Sequence, residues 1–442
     1  MTPLPTGWTS ARLADLLDVL IDHRGRTPGK LGSTFVDAGV PVISAIHIKD
    51  GRVDFAQRHR YVTREIAERW MPEPLRASDV LLTSEAPLGS VAQVPTDEPL
   101  VLSQRLFALR GRPDVLLNRY LFWALQAPQV THQLHERSSG STVTGIRQAE
   151  LRRVELPLPP LGEQRRIVDL LDDHLSRLDA AHDYLASALR RAERLATTQI
   201  WQLTHALEGA STRLDQVAEV RLGRQRSPAN HHGERMRPYL RAANVDWNRL
   251  RLDDVKEMNF TEAEERTYRL EPGDILVVEA SGSAAEAGKS ALYESTPAAV
   301  CFQNTLLRVR CTPAAEPRFV QKYLLAEAMA GRFIEDARGV GINHIGRAKL
   351  ASLKVTLPAL EVQRSTASSC DRALEAVEML SSTLKESTRR GAGLRRALLD
   401  AAFSGRLTGS SSDLNLAEER IDAAASESSS SEAMENQGVA SG

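Results

Sequence analysis

The chain is poor in cysteine, lysine and aromatic side chains, and it has no long apolar run. Its three cysteines (Cys301, Cys311 and Cys370) stand at spacings that match no zinc or redox pattern, so a reducing cytoplasm is the default compartment. No stretch approaches the ~20 apolar residues of a membrane span, and the N-terminus has no apolar signal-peptide core. The formal charge of −1 excludes a simple polycation that would hold nucleic acid or membrane through bulk charge. The expectation is a cytoplasmic protein of two to three domains, with 442 residues to bury sizeable cores.

The charge that is present is unevenly placed. From Ser410 onward the chain is serine-rich, has no aromatics and carries seven acids against the single Arg420, which predicts a disordered acidic tail. The body without it holds 55 basic and 50 acidic residues, a surplus of five. The basic residues are 48 arginines and only eight lysines. GC-rich coding produces such a bias, and arginine also suits bidentate contacts to phosphate and guanine.

Self-similarity organises the rest. At an offset of 199 residues Gly89 meets Gly288, Gln104 meets Gln303, Arg119 meets Arg318, Ile146 meets Ile345, Pro159 meets Pro358 and Gln164 meets Gln363. The offset drifts to 197 for Pro41 and Pro238 and to 195 for Asp79 and Asp274, as small loop insertions would cause. This is a tandem duplication of roughly 200 residues, too long a period for a solenoid.

Each copy has two parts. The first mixes short apolar runs (VPVISAIHI, DVLLTS and RLFALR, then RPYLRAANV, GDILVVEA and TLLRVR) with turn residues, which predicts strands of a mixed sheet. One helix is expected per copy, at RYLFWALQ and RFVQKYLLAEAM. The second part follows a proline-rich phrase and is a heptad helix. Its seam reads Val168, Leu171, Leu175, Leu178, His182, Leu185, Leu189, Ala192, Ala196, Gln199, Leu203 and Ala206, with Gly209 as a stop. The second seam is weaker, with Cys370, Leu374, Val377 and Leu384, then Leu394, Leu398 and Ala402 around a break at Gly391 and Gly393. Each helix would run ~60 Å, and the economical partner of the first is the second, antiparallel to it.

These residues carry a resemblance. LPLPPLGEQRRIVDLL at the head of a long helix, partly repeated 199 residues later, resembles the conserved region of type I restriction–modification specificity subunits. LRRALLDAAFSGRLTG (394–409) resembles the same family's C-terminal signature, and GWTSARLADLLDVL its opening. The resemblance covers the chain up to the tail; LPALEVQRST in the second copy departs from the fuller phrase. It implies an α+β chain of two similar mixed α/β target-recognition domains joined by two long helices that form an antiparallel coiled coil. On that reading residues 1–158 and 210–357 are the recognition domains, 159–209 and 358–409 the spacer helices, and 410–442 the tail. It further implies a non-catalytic subunit that reads a split double-stranded DNA sequence, one half per domain. Two methyltransferase (M) subunits and two restriction/translocase (R) subunits would assemble on it.

The residue chemistry agrees with a chain that performs no catalysis. GSAAEAGKS (282–290) has five residues between Gly282 and Gly288 where a phosphate cradle needs four. The His231–His232 pair and the scattered carboxylates have no metal-ligand spacing, so neither metal nor cofactor is expected. DNA reading requires cationic and polar side chains at base edges and phosphates. Loop clusters of that kind recur at matching places. The first copy offers His23, Arg24, Arg26, Thr27 and Lys30, then Arg58, His59, Arg60 and Tyr61. The second offers Arg224, Gln225, Arg226, Asn230, His231 and His232, then Arg235, Arg237 and Arg241. Near the domain ends stand Ser138, Ser139, Ser141, Thr142 and Arg147, and correspondingly Arg338, Asn343, His344 and Arg347.

Two such heads on a helical spacer predict a bipartite, asymmetric target with an unread gap, the heads standing one to two DNA turns apart. The alternative is a two-headed coiled-coil adaptor that binds proteins. Arginine-rich loops in register between the copies, together with the family phrases, separate the two readings.

Overall fold

In a computed structural model, the described residues are 4–23, 26–140, 144–281, 286–294, 299–333 and 343–408. The described residues pack as two compact units, one drawn from 1–183 with 386–408 and one from 184–385. The packed units therefore cut across the expected head-and-spacer segments, and each takes half of each long helix. The tail from 410 lies outside the described residues.

The first unit is built on a four-stranded antiparallel sheet in the order Leu17–Asp22, Leu106–Gly111, Val80–Thr83, Val91–Gln93. Val80–Thr83 and Leu106–Gly111 are buried throughout, as a strand covered on both faces must be. A three-stranded sheet of Arg60–Val62, Val40–Ile43 and Val101–Leu102 covers one face. Only its Val40–Ile43 and Val101–Leu102 pair is parallel, so the mixed character expected of the main sheet belongs to this smaller one. The other face packs on helices Asn118–Ala124 and Pro128–Glu136. A strand pair, Thr9–Arg12 with Glu155–Leu158, closes the unit.

The second unit repeats this plan with Ala218–Leu222, Leu306–Cys311, Ile275–Val278 and Ser290–Leu292 as its main sheet. Its helix Pro317–Met329 is a single element. In the first copy Pro128 starts a second helix, because proline suits a first helical position and cannot continue an existing one. The expected strands VPVISAIHI and RPYLRAANV end early, at Ile43 and Leu240. A 3-10 turn follows each: Ser44 N donates to His47 Nδ1 at 3.0 Å and Arg241 N donates to Asn244 Oδ1 at 3.1 Å.

The duplication extends to individual hydrogen bonds. Asp79 receives Arg110 through two contacts of 2.8 Å and accepts from Arg76 N at 2.9 Å. Asp274 receives Arg310 through two contacts of 2.7 Å and accepts from Glu271 N at 2.7 Å. One pairing shifts. Ser103 N donates to Ile43 O and Gln303 N donates to Leu240 O, so Gln303 matches Ser103 and not Gln104.

The long helices are Leu161–His205 and Leu360–Phe403. In the first unit their segments run antiparallel, since Asp179 pairs with Arg395 and the later His182 with the earlier Thr388. Leu171, Leu175 and Leu398 are buried there with Ala402 and Phe403, and Val168 and Leu178 lie half-buried against them. In the second unit Ile200 and Cys370 bury against Ala326, with Leu203 and Leu374 around them. Leu185, Leu189, Val377 and Leu384 are half-buried.

Two features of the expected seams change. Gln199, Ala206 and His182 are exposed, and Ile200 is fully buried in place of Gln199. A straight helix of 3.6 residues per turn drifts ~20° per heptad, so a strict heptad line leaves the buried face by its end. The expected break at Gly391 and Gly393 is absent, and the helix runs through both. Glycine costs a helix energy without blocking it, and Leu394 and Leu398 anchor the following turn in the core. Among the described residues no helix is long and apolar enough to cross a membrane.

Candidate nucleic-acid interface

In the first unit the loop after Leu17–Asp22 lies against strand Arg60–Val62 and helix Arg64–Trp70. Arg26 Nη1 donates to Trp70 O at 2.5 Å, Val36 N donates to Tyr61 O at 2.9 Å, and the Arg60 guanidinium stands 5.0 Å from the Phe35 ring centre. Lys30 lies in the short 3-10 turn Gly29–Leu31, and its N–H donates to Thr27 Oγ1 at 3.4 Å. Tertiary folding thus lays the loop that carries the first expected cluster along the strand of the second, at Phe35 and Val36, and against the helix end at Trp70, as one loop patch. Arg24 lies outside the described residues.

A ring ladder backs the patch. His59 stacks on His47 with centroids 4.6 Å apart, and Phe55 and Tyr61 pack on His59. Burial, and then the neighbouring His59, hold the His47 pKa below its ordinary value. His23 is lowered too, chiefly by burial and next by Arg26.

The second unit uses carboxylates for the same purpose. Arg224 Nε donates to Glu264 Oε1 at 2.8 Å and Nη1 donates to Asn259 O at 2.7 Å, with the guanidinium over Phe260. Asn230 is buried and accepts from Ser227 N at 3.0 Å. Both were expected to project toward DNA; their side chains instead shape the loop. Arg235 and Arg237 share Glu265, each at 3.0 Å, and Arg241 pairs with Asp254 at 2.5 Å. The hydrogen bond from Arg237 is the main reason the Glu265 carboxyl lies below its usual range. Arg226 is exposed and His231 half-buried.

The late clusters sit at the end of the central strand. Ile146 N donates to Ser84 O at 2.9 Å and Ile345 N donates to Glu279 O at 3.1 Å. Ser139 and Gly145 exchange backbone hydrogen bonds, and Arg147 and Arg347 are exposed at the starts of short helices. Asn343 and His344 pair by backbone with Ser281 and Ala280. Ser141, Thr142 and Arg338 lie outside the described residues.

Sequence reasoning missed the segment that links these places. In the second unit Asn304 N donates to Arg224 O at 3.0 Å, and Glu279 N donates to Thr305 O at 3.0 Å. Residues 303–305 therefore connect the early loop to the late one. In the first unit Ser84 N donates to Arg105 O at 2.9 Å, and Arg105 pairs with Glu85. The repeated glutamine marks this segment in the sequence, although the 199-residue offset places it one residue out of register.

Among the described residues no group of three or more histidine, cysteine or carboxylate side chains could hold a metal ion. In GSAAEAGKS, Lys289 is held by Glu286 at 2.9 Å and by Asp246 at 3.6 Å. Gly288 lies so close to the helical layer that a Cβ would stand 2.4 Å from Phe333 Cδ2, so packing accounts for this glycine.

Residues 5–185 match the family model described as a type I restriction modification DNA specificity domain. Over those residues the chain resembles the specificity subunits of type I restriction–modification systems. It is 21% identical over 426 residues to the EcoKI specificity subunit of Escherichia coli K12, covering 92% of this chain and 90% of that one. To the StySPI specificity subunit of Salmonella potsdam it is 22% identical over 427 residues, with the same coverage. The fold is shared with a chain of a type I R-M system solved for its complex assembly and conformational transition, at TM-score 0.72, 21% identity, and 92% and 100% coverage. It is also shared with the HsdS subunit of Thermoanaerobacter tengcongensis, at TM-score 0.53, 20% identity, and 91% and 98% coverage.

Proposed function

We propose that this chain is the DNA-recognition subunit of a type I restriction–modification complex. Each unit reads one half of a bipartite, asymmetric double-stranded target, and the chain itself performs no chemistry. Two methyltransferase subunits and two restriction/translocase subunits assemble on it in the cytoplasm. In the first unit the contacts to DNA come from the patch around Arg26, Lys30, Arg58 and Arg60 and from the loop of Ser139 and Arg147. In the second they come from Arg226, Arg235, Arg237, Arg241 and Arg347. Further support comes from the +5 surplus of the body, which suits a subunit whose partners supply part of the phosphate clamp.

The observation that carries the reading is the combination of conserved framework and divergent loops. The Asp79–Arg110 and Asp274–Arg310 pairs repeat one scaffold. The loops around Arg26 and Arg224 are held by different chemistry, a backbone carbonyl in one and a carboxylate in the other. Two copies of one scaffold with different loops are suited to two different half-sites. Selection of duplexes from a randomised library by the assembled complex tests it. Two unlike half-sites with a fixed gap are expected, and a single contiguous motif refutes the reading.

A further inference from the structure

We propose that Arg105 reads a guanine in the first half of the target, with Glu85 holding its guanidinium in position. This rests on the DNA-reading function proposed above and assigns a residue and a base to it.

Arg105 has φ +70, in the left-handed region that side chains other than glycine rarely adopt, and Ala86 beside its partner has φ +49. Such strain persists where the surroundings impose it, and it gathers at functional sites. Burial does not account for it here, because 55% of the Arg105 side chain is exposed. The backbone is pinned instead: Ser84 N donates to Arg105 O at 2.9 Å. The side chain is pinned as well, with Nε 2.9 Å from Glu85 Oε1. Gly145 packs so tightly on this spot that a Cβ would stand 3.1 Å from both Glu85 Cβ and Ser84 O. That close approach brings the loop of Ser139 and Arg147 alongside.

The other copy isolates what is particular about Arg105. Thr305 occupies the equivalent place, its carbonyl accepting from Glu279 N at 3.0 Å. Thr305 is not among the left-handed residues, and its hydroxyl accepts from Ala242 N at 3.0 Å in a half-buried place. One position is thus a half-buried strut in the second unit and an exposed, strained, carboxylate-held arginine in the first. A planar guanidinium matches O6 and N7 of guanine bidentately. An end-on approach through Nη1 and Nη2 is compatible with a carboxylate at Nε, and orientation by that carboxylate reduces the rotamer freedom lost on binding.

The test uses the full-length chain, purified from its host with its assembled partners, and a randomised double-stranded oligonucleotide library. With Arg105→Ala, one guanine of the first half-site becomes degenerate, its discrimination falling roughly tenfold to hundredfold. The second half-site and the gap stay unchanged. Glu85→Gln weakens the same letter and no other. Arg105→Gly relieves the left-handed strain, so it raises the unfolding temperature while producing the same degeneracy, a combination that a merely structural arginine would not give. An unchanged first half-site in Arg105→Gly overturns the assignment. A wild-type complex that selects no bipartite motif overturns the DNA-reading function itself, and this assignment with it.

Discussion

Gln164, fully buried near the head of the first long helix, accepts from Leu117 N at 3.0 Å through Oε1 and donates to Val115 O at 2.8 Å and Pro159 O at 3.0 Å through Nε2. In the second unit Gln363 accepts from Glu316 N and donates to Pro358 O, both at 2.8 Å. The glutamine of the repeated phrase is therefore a clamp between the long helix and the start of the helix that packs on the sheet. A second clamp lies two turns on. Asp172 receives Arg119 at 2.7 Å and the Trp123 indole N–H at 2.8 Å. Asp371 receives Arg318, with Lys322 at 2.6 Å in place of the indole.

Gln164→Ala leaves the Leu117 N–H and two carbonyls without their partner in a buried place. A loss of about 2–3 kcal/mol is expected, since each unmade buried hydrogen bond costs ~1–3 kcal/mol and water recovers some of it. Urea unfolding of the full chain measures it, with Arg166→Ala, on the exposed face of the same helix, as the control. Equal stability of the two variants would refute the clamp.

His47 makes the first unit sensitive to acid. Its folded pKa is lowered, mainly by burial, so the unfolded chain binds its proton more readily. Stability is then complete above the unfolded value of about 6.5 and falls as pH drops from there through the folded pKa. Asn244, at the equivalent position, makes the same bond to its turn without titrating. The variant His47→Asn should keep the turn and flatten the fall in melting temperature between pH 7 and 5, leaving a residue from His23, whose pKa burial also lowers. An unaltered slope would show that His47 does not supply the acid sensitivity.

Gly391 and Gly393 lie within an unbroken helix, and a Cβ at either would meet nothing within 4 Å. Alanine at each position should stabilise by roughly 0.5–1 kcal/mol, because glycine gives up more backbone freedom on folding. Thermal unfolding of Gly391→Ala and Gly393→Ala reads the rise; a fall would mean that the helix needs glycine there.

The chain passes between the units within the two long helices, at 183–184 and 385–386. A heptad adds ~10 Å to a helix, about three base pairs of DNA at ~3.4 Å each. Seven residues inserted in both helices near these points should lengthen the unread gap and preserve the half-site letters. Library selection reports both, and altered letters with an unaltered gap would contradict the spacer role.

Several of these features were legible in the residues. The duplication, the strands DVLLTS and RLFALR, the helix starts after Pro159–Pro160 and Pro358, and the left half of the first seam follow from periodicity and from what proline forbids. Periodicity reads burial one residue at a time, so it failed where a small drift accumulates, at Gln199 against Ile200.

The candidate interface was legible as residue types and not as roles. Arg224, Arg226 and Arg235 look alike in sequence. The fold commits Arg224 to Glu264, exposes Arg226 and pairs Arg235 with Glu265, because those carboxylates come from a helix some 30 to 40 residues away. Arg105 carries no mark in the sequence, because neither its strain nor its partner Glu85 is local sequence information. Local chemistry and repetition determined the elements and their order. Which arginines hold the scaffold and which stay outward was decided by contacts between distant segments, which exist only once the chain has folded.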